Sequence, residues 1–266
     1  MLSIEKEHNM ELTNILKEMF NRKASDVILK AGSPVCLRIN GELFKEEDPL
    51  DEHDLEALVG DVITRGQKHM YKDQRENVIC FGVKDLGRFR ATIFQQRGTP
   101  VLVIRAINTK IQTFEELNLP SKVLENWCNE KRGLVLVTGT TGSGKSTTVA
   151  SMIEYINKNM AKHVITLEDP IEFLFQDKRS MVSQREIRID TESFHKALEY
   201  SMLQTPDIIF IGDIRTAEVM SIALTAAETG QLVIANLHTI STSHTIERAV
   251  NFFQPHQHAE VRMQLS

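Results

Sequence analysis

The stretch Gly139-Thr140-Thr141-Gly142-Ser143-Gly144-Lys145-Ser146 fits the phosphate-binding pattern G-x-x-x-x-G-K-[ST] at every fixed position. An apolar run, residues 133–138, precedes it, and residues 147–157 have a helical pattern. In such a strand–loop–helix context, glycines let backbone N–H groups turn toward phosphate oxygens at the positive end of a helix. The alternative, a glycine-rich turn with a surface lysine, does not account for the flanking strand and helix. The sequence therefore predicts a nucleotide site, with Lys145 on the β- and γ-phosphates and the Ser146 hydroxyl on Mg²⁺.

The pattern after this loop is an alternation of short apolar runs and helical periodicity. Strands are expected at 163–167, 207–211 and 232–236, and helices at 191–202, 216–229 and 242–251. Short buried strands that alternate with helices indicate a parallel sheet with helices on both faces. This part of the chain is therefore predicted to be an α/β domain.

The first part of the chain has a different pattern. Helices are expected at 12–20 and 51–71, and strands at 25–30, 35–39, 77–83, 88–95 and 101–107. Asn40-Gly41 lies at the position of a hairpin turn, before a return strand that begins at Glu42. We predict a smaller, mostly antiparallel α+β domain at 1–112 and a second domain at 122–266. The linker at 113–121 is expected to contain a short helix-like segment that ends at Pro120.

The composition limits the classes of partner and compartment. The 266 residues carry 31 Lys+Arg against 36 Asp+Glu, a net charge of −5, so there is no basic surplus for a nucleic acid partner. No apolar run is long enough to span a bilayer, and the first ten residues are too polar for a signal peptide. Cys36, Cys80 and Cys128 are odd in number and far apart, which does not suit a disulfide framework or a zinc site. We therefore expect a cytosolic protein without an integral membrane segment.

Polar residues follow two of the predicted strands, at the edge of the sheet where such folds bind ligands. Asp213 follows an apolar strand and suits a carboxylate of the Mg²⁺ shell, although the position also suits a helix N-cap. His238 follows the strand at 232–236, where it suits either a ligand contact or a buried, hydrogen-bonded histidine. The residues alone leave both pairs of alternatives open.

Three carboxylates, Glu168, Asp169 and Glu172, lie within five residues after another predicted strand. One of them can polarise the water that attacks a phosphate, or all three can be solvated loop residues. Neither spacing nor composition chooses among them.

Five motifs, in their order along the chain, resemble those of the secretion ATPases of type IV pilus and type II secretion systems, and within them the pilus-retraction branch, PilT and PilU. The motifs are 139–146, 165–173, 183–186, 226–230 and 237–239. Asn251-Phe252-Phe253-Gln254-Pro255 and Gly87-Arg88-Phe89-Arg90 are nearer to PilU. The resemblance extends over nearly the whole chain from Leu12, including 24–26 and 38–42 in the first domain.

The resemblance implies a RecA-like P-loop ATPase domain with a parallel sheet, preceded by a smaller α+β PAS-like domain. It implies nucleotide contacts from every residue of the loop and from Thr147. It also implies Glu172 as the base that activates water, Asp213 as the acid of the Mg²⁺ site and His238 as the sensor of the γ-phosphate. First-domain arginines that reach toward the phosphates are implied at Arg90 and Arg105, with Arg88 and Arg97 as further candidates.

The function implied by the resemblance is Mg²⁺-dependent ATP hydrolysis that powers type IV pilus retraction and twitching motility. The expected assembly is a homohexamer in the cytoplasm, peripheral to the inner membrane at the pilus base. Its expected partners are an inner-membrane platform protein of the pilus and a paralogous pilus ATPase. Two alternatives stay open: a weakly hydrolysing nucleotide-binding accessory subunit of such a motor, and an assembly or secretion ATPase of the same superfamily.

The chain departs from the family pattern at three places. Asp213 stands where the family has Glu, which shortens the side chain by one methylene. Gln231 stands where the family has His, and we expect this to remove a titratable group near the site. The chain ends at Ser266 within a helical pattern, so we expect the second domain to be truncated at its C-terminal end.

Overall fold

The structure, a computed structural model, describes residues 11–65, 76–107 and 110–266. The chain divides into two compact units, Met1–Thr109 and Lys110–Ser266. The finer division into 1–112, 113–121 and 122–266 stays a prediction. The end of the helix expected at 51–71 lies outside the described residues.

The first unit is a six-stranded antiparallel sheet of strand order β3-β2-β1-β6-β5-β4, with two helices that share its core. Apolar residues of both helices and of the inward-facing strand positions form one buried cluster, which includes Leu16, Leu55 and Phe89. The elements are α1 (Leu12–Asn21), β1 (Asp26–Lys30), β2 (Pro34–Ile39), β3 (Glu42–Pro49), α2 (Glu52–Arg65), β4 (Glu76–Val83), β5 (Gly87–Gln96) and β6 (Thr99–Ile107).

The hairpin between β2 and β3 follows from its two turn residues. Asn40 and Gly41 both have positive φ angles, 50° and 90°, which is the conformation that a tight two-residue hairpin requires. Ile39 pairs with Glu42 directly across the turn. The predicted hairpin is therefore confirmed.

The second unit is a five-stranded parallel sheet of order β7-β11-β10-β8-β9 with helices on both faces. Successive residues of the central strands alternate between two cores: Ile208 and Phe210 pack with α3 and α4, whereas Ile209 and Ile211 pack with α5 to α8. The elements are α3 (Ser121–Cys128), β7 (Gly133–Thr138), α4 (Lys145–Asn159), β8 (His163–Glu168), β9 (Met181–Glu186), α5 (Phe194–Ser201), β10 (Ile208–Ile211), α6 (Ala217–Thr229), β11 (Leu232–Leu237), α7 (Thr242–Asn251) and α8 (His258–Gln264).

Two elements of this unit have no counterpart among those expected from the sequence. Helix α3 follows Pro120, and residues 114–118, expected to be helix-like, form turns instead. Strand β9 is polar, and its residues are held by backbone pairing along β8 at the edge of the sheet. A strand that is held by backbone pairing at an edge does not need alternating apolar side chains, so its sequence lacks the pattern by which strands are predicted.

The parallel sheet brings the functional stretches together. The carboxyl ends of β7, β8, β10 and β11 lie at one edge, because all four strands run in the same direction. The phosphate loop, Asp169, Asp213 and His238 each follow one of these ends. No helix among the described residues is both long and apolar enough to cross a membrane.

Candidate active site

The phosphate loop joins β7 to α4 as the sequence pattern requires. A Cβ atom on Gly139 would lie 2.4 Å from Ser143 Oγ and 3.2 Å from Ser143 Cβ, so a side chain there would displace that of Ser143 within the loop. Lys145, the first residue of α4, is only 9% exposed. Its Nζ donates hydrogen bonds of 2.9 Å to the carbonyl oxygens of both Gly139 and Thr140. The ammonium group is therefore held inside the curve of the loop.

A chain of polar contacts runs from this lysine to the end of β10. Lys145 Nζ lies 3.5 Å from His238 Nδ1, and His238 Nε2 lies 3.4 Å from Asp213 Oδ2. Arg215 Nε donates a 2.6 Å hydrogen bond to the same Asp213 oxygen, which raises the pKa of Arg215. Sequence reasoning missed Arg215, since one arginine after a strand carries no motif of its own.

These contacts resolve two of the alternatives left open by the sequence. Thr216 caps α6, because its hydroxyl accepts a hydrogen bond from Val219 N, so Asp213 is not the N-cap. The His238 side chain is half exposed rather than buried, and its ring nitrogens face Lys145 and Asp213. Both residues are free of the structural roles that competed with the functional ones.

A pocket beside the loop is lined by Ser146 from α4, by five residues that follow β8 and by Asn236 from β11. The five are Asp169, Pro170, Glu172, Phe173 and Phe175, and Glu168 at the end of β8 also lines the pocket. Gly212 permits the close approach of β10, since a Cβ atom there would lie 3.1 Å from the backbone oxygen of Leu167. The requirement for glycine before Asp213 is thus one of space.

The three carboxylates after β8 differ in what they contact. Glu168 is buried, and burial raises its pKa to about 7 although Thr166, Gln184 and the backbone of Glu172 hydrogen-bond to it. Asp169 forms an ion pair of 3.1 Å with Arg188. Glu172 is exposed and lines the pocket. Because the first two carboxylates already have partners, Glu172 is the one whose oxygens are most available to a water molecule.

Two buried oxygens of the site have no hydrogen-bond partner among the described residues: Oδ1 of Asp213 and Oδ1 of Asn236. Asn236 is 4% exposed and is the one polar residue of an otherwise apolar strand, which was the only signal for it in the sequence. Unsatisfied buried oxygens are costly unless a ligand completes them. Asn236 and the Ser146 hydroxyl line the same pocket, and these oxygens, with that of Asp213, are hard donors of the kind that would suit Mg²⁺ and the water molecules that it keeps.

The four candidate arginines, Arg88, Arg90, Arg97 and Arg105, do not all lie together. Arg88 and Arg90 point to the face of the sheet opposite the buried Phe89, and Arg105 lies directly across from Arg90 on β6. Arg105 donates a 2.6 Å hydrogen bond to the buried Asp26. Arg97 is in the β5–β6 turn, seven residues and about 20 Å along the strand from Arg90. Only Arg88, Arg90 and Arg105 form one group.

The expectation for Gln231 is wrong within this unit. Gln231 precedes β11, and its backbone oxygen accepts from Gly133 N at the start of β7. The site lies at the opposite ends of both strands, about 20 Å away. The Gln231 side chain pairs with Thr229 instead, at 3.0 Å.

The chain matches known proteins over most of its length. The family model described as type II/IV secretion system protein covers residues 6–260. The chain is 39% identical to the type IV pilus ATPase PilU and 40% identical to the type IV pilus retraction ATPase PilT, both of Pseudomonas aeruginosa. Each alignment spans 97% of this chain, with 67% of PilU and 75% of PilT. These identities do not separate PilU from PilT.

Solved structures agree with this assignment. The crystal structure of the pilus retraction motor PilT with bound ADP has a TM-score of 0.90 and 43% identity, over 96% of this chain and 75% of that one. The Legionella pneumophila ATPase DotB has a TM-score of 0.77 and 26% identity, over 95% and 72% of the two chains. The fold is RecA-like, with a smaller PAS-like unit before it. The chain belongs to the type II/IV secretion system protein family, in the branch of the pilus ATPases PilT and PilU.

Proposed function

We propose that this chain is a subunit of a motor that hydrolyses MgATP to power the retraction of type IV pili. The observation that carries the proposal is the contact chain Lys145–His238–Asp213 beside the phosphate loop, in a chain about 40% identical to a pilus retraction ATPase. His238 lies 3.5 Å from Lys145 and 3.4 Å from Asp213, and a histidine that contacts both a lysine and an acid suits a site that responds to the γ-phosphate.

Each residue of the site has a part in hydrolysis. The loop N–H groups and Lys145 bind the β- and γ-phosphates, and Ser146 and Asp213 would hold Mg²⁺, which would neutralise charge on the phosphate oxygens. Glu172 accepts a proton from the attacking water. His238 contacts both Lys145, which binds the γ-phosphate, and Asp213, which is assigned to the Mg²⁺ site. Loss of the γ-phosphate therefore alters the surroundings of His238 through both residues.

The arginines of the first unit supply further positive charge in the assembled motor, which we propose to be a hexamer. Arg90 lies opposite Arg105, and like charges placed directly across a sheet are destabilising. Asp26 compensates Arg105, whereas Arg90 forms no ion pair with any residue of 11–65, 76–107 or 110–266. This unpaired charge is the feature that favours a role in binding an anion, and an arginine placed on a transferring phosphoryl group raises hydrolysis by about 10³–10⁵.

The names of the two relatives support a pilus as the setting and a second pilus ATPase as a partner. We propose that the motor acts in the cytoplasm at the pilus base, against an inner-membrane platform protein and alongside a paralogous pilus ATPase. PilU and PilT, the two relatives described above, are both pilus ATPases of one organism.

The proposal is tested by measuring Mg²⁺-dependent ATP hydrolysis against protein concentration, together with twitching in a strain that carries Lys145→Ala on its chromosome. Specific activity should rise as the ring assembles, and the strain should lose twitching. A flat activity profile from monomer upward contradicts the assembled motor. Normal twitching in the Lys145→Ala strain contradicts the role in retraction.

A second candidate function, a nucleotide-binding accessory subunit that hydrolyses little, is favoured by one residue, Asp213. The short acid is already engaged by Arg215. Gln231, another departure from the family pattern, does not support this candidate, because it lies at the far end of its strand from the site. The third candidate, an assembly or secretion ATPase, is distinguished by counting the surface pili of the same Lys145→Ala strain, since loss of an assembly ATPase removes pili, whereas loss of a retraction ATPase leaves them on the cell surface.

A further inference from the structure

The loop that carries Glu172 is anchored by side chains of β9 rather than by regular secondary structure. Ile171 N, one residue before Glu172, donates a 3.2 Å hydrogen bond to Glu186 Oε2. On the other side, Gln184 Nε2 donates to Phe173 O at 2.8 Å, and Gln184 Oε1 accepts from Phe175 N at 2.9 Å. Glu172 is thus exposed between two anchored points.

The placement of Gln184 and Glu186 follows from strand geometry. They are two residues apart on β9, so their side chains project from the same face of the strand. Parallel pairing sets Gln184 beside Thr166 and Glu186 beside Glu168. Gln184 Nε2 also lies 3.2 Å from Glu168 Oε1, so the anchor reaches back to the end of β8. Ile171, which the Glu186 contact fixes, is only 3% exposed.

An amide side chain suits this position because it is both a donor and an acceptor. Gln184 donates a hydrogen bond to one carbonyl oxygen of the loop and accepts one from an N–H group of the loop, as the backbone of a paired strand would. The Glu186 carboxylate accepts the other anchoring hydrogen bond, which Ile171 N donates. Neither residue lines the pocket that Glu172 and Ser146 share.

We propose that Gln184 and Glu186 are positioning residues that hold Glu172 at the orientation required for hydrolysis. The inference rests on the proposed role of Glu172. A base is effective only when its oxygen and the attacking water are aligned, and a displacement of about 1 Å costs up to about 100-fold in rate. The segment of residues 183–186, which the sequence singled out without a role, thereby acquires one.

The first test compares Gln184→Leu with Ser183→Ala. Ser183 is the adjacent residue on the opposite face of β9, where its hydroxyl lies 3.1 Å from His163 Nε2. The Leu variant should lower kcat by about 10- to 100-fold, because Glu172 loses its orientation. Its affinity for a fluorescent ATP analogue and its melting temperature should match those of Ser183→Ala. Gln184→Asn, which keeps the amide but shortens its reach, replaces the Leu variant if that protein does not fold.

Glu186 is tested by a conservative pair. Glu186→Gln keeps an acceptor for Ile171 N and should retain kcat, whereas Glu186→Leu removes the acceptor and should lower it. A purely structural role predicts instead that kcat, affinity and melting temperature fall together in both Leu variants, and that result overturns the inference.

Amide hydrogen exchange supplies a readout that is independent of turnover. Exchange at Phe175 should accelerate in Gln184→Leu, and exchange at Ile171 in Glu186→Leu, with neither changed in Ser183→Ala. Wild-type kcat in Gln184→Leu, or unchanged exchange at both amides, also overturns the inference. Wild-type turnover in Glu172→Gln is a different result: it refutes the proposed base, while the exchange data report separately on the anchor.

Discussion

Arg215 Nε donates a 2.6 Å hydrogen bond to Oδ2 of Asp213, and the other oxygen of that carboxylate is buried without a partner among the described residues. The acid is thus oriented by the arginine, with one oxygen left for a cation. Asp213→Asn should weaken Mg²⁺ binding by about 10- to 100-fold, as loss of a supporting or direct ligand does elsewhere. The affinity for ATP should become less dependent on Mg²⁺, which titration of a fluorescent ATP analogue with and without Mg²⁺ measures.

The Asp213→Glu variant distinguishes the proposed motor function from the proposed accessory function. If the native geometry already places the carboxylate correctly, the longer side chain should not raise turnover, because Arg215 then holds it in a different position. A large gain in kcat on Asp213→Glu supports the accessory subunit and contradicts the motor. Steady-state hydrolysis of both proteins at saturating MgATP decides between them.

Lys145→Ala should nearly abolish hydrolysis, because it removes the only cation whose Nζ bonds to the carbonyl oxygens of Gly139 and Thr140 within the described part of the chain. Lys158→Ala is the matched control. Lys158 lies on the same helix and forms an ion pair of 3.2 Å with Glu154. The buried Glu154 keeps a second cationic partner in Lys178, so the control should keep wild-type turnover. Equal activity in Lys145→Ala and the wild type contradicts the assignment of Lys145 to the phosphates.

Glu172→Gln should bind ATP but fail to hydrolyse it, since the amide cannot accept a proton from water at neutral pH. Glu168→Gln should have the milder effect, because Glu168 already accepts hydrogen bonds from Thr166 and Gln184. Single-turnover hydrolysis and analogue binding measure the two steps separately. A reversal of the two variants identifies Glu168 as the base.

Patterns in the sequence were sufficient for the framework of the second unit. Helix α7 has the expected bounds, since its amphipathic period and the Ser241 cap mark both the face and the start. Strand β9 was missed because backbone pairing to β8, rather than apolar alternation, holds it at the edge.

The residues of the site likewise fall into those that the sequence predicted and those that it did not. The phosphate loop is a contiguous motif, whereas Asn236 and Arg215 matter through what they face in three dimensions, which no single stretch records. Gln231 was misplaced for the converse reason: it is near His238 in sequence, but a whole strand separates them.

Glu168 makes the stability of the second unit depend on pH in a definite direction. Burial raises its pKa from 4.5 to about 7, so between these pH values the folded carboxyl keeps a proton that the unfolded one has lost. Its contribution to stability is therefore greatest at acidic pH and falls as pH rises toward 7, by about 1.4 kcal/mol for each unit of pKa shift. Glu168→Gln removes this titration. The melting temperature of the variant minus that of the wild type should increase between pH 5 and pH 8, by about 2–4 °C per kcal/mol. Taking the difference cancels the other titrating groups, and calorimetry in matched buffers measures it. A difference that is constant over this range, or that decreases, shows that the Glu168 carboxyl is ionised throughout and contradicts the raised pKa.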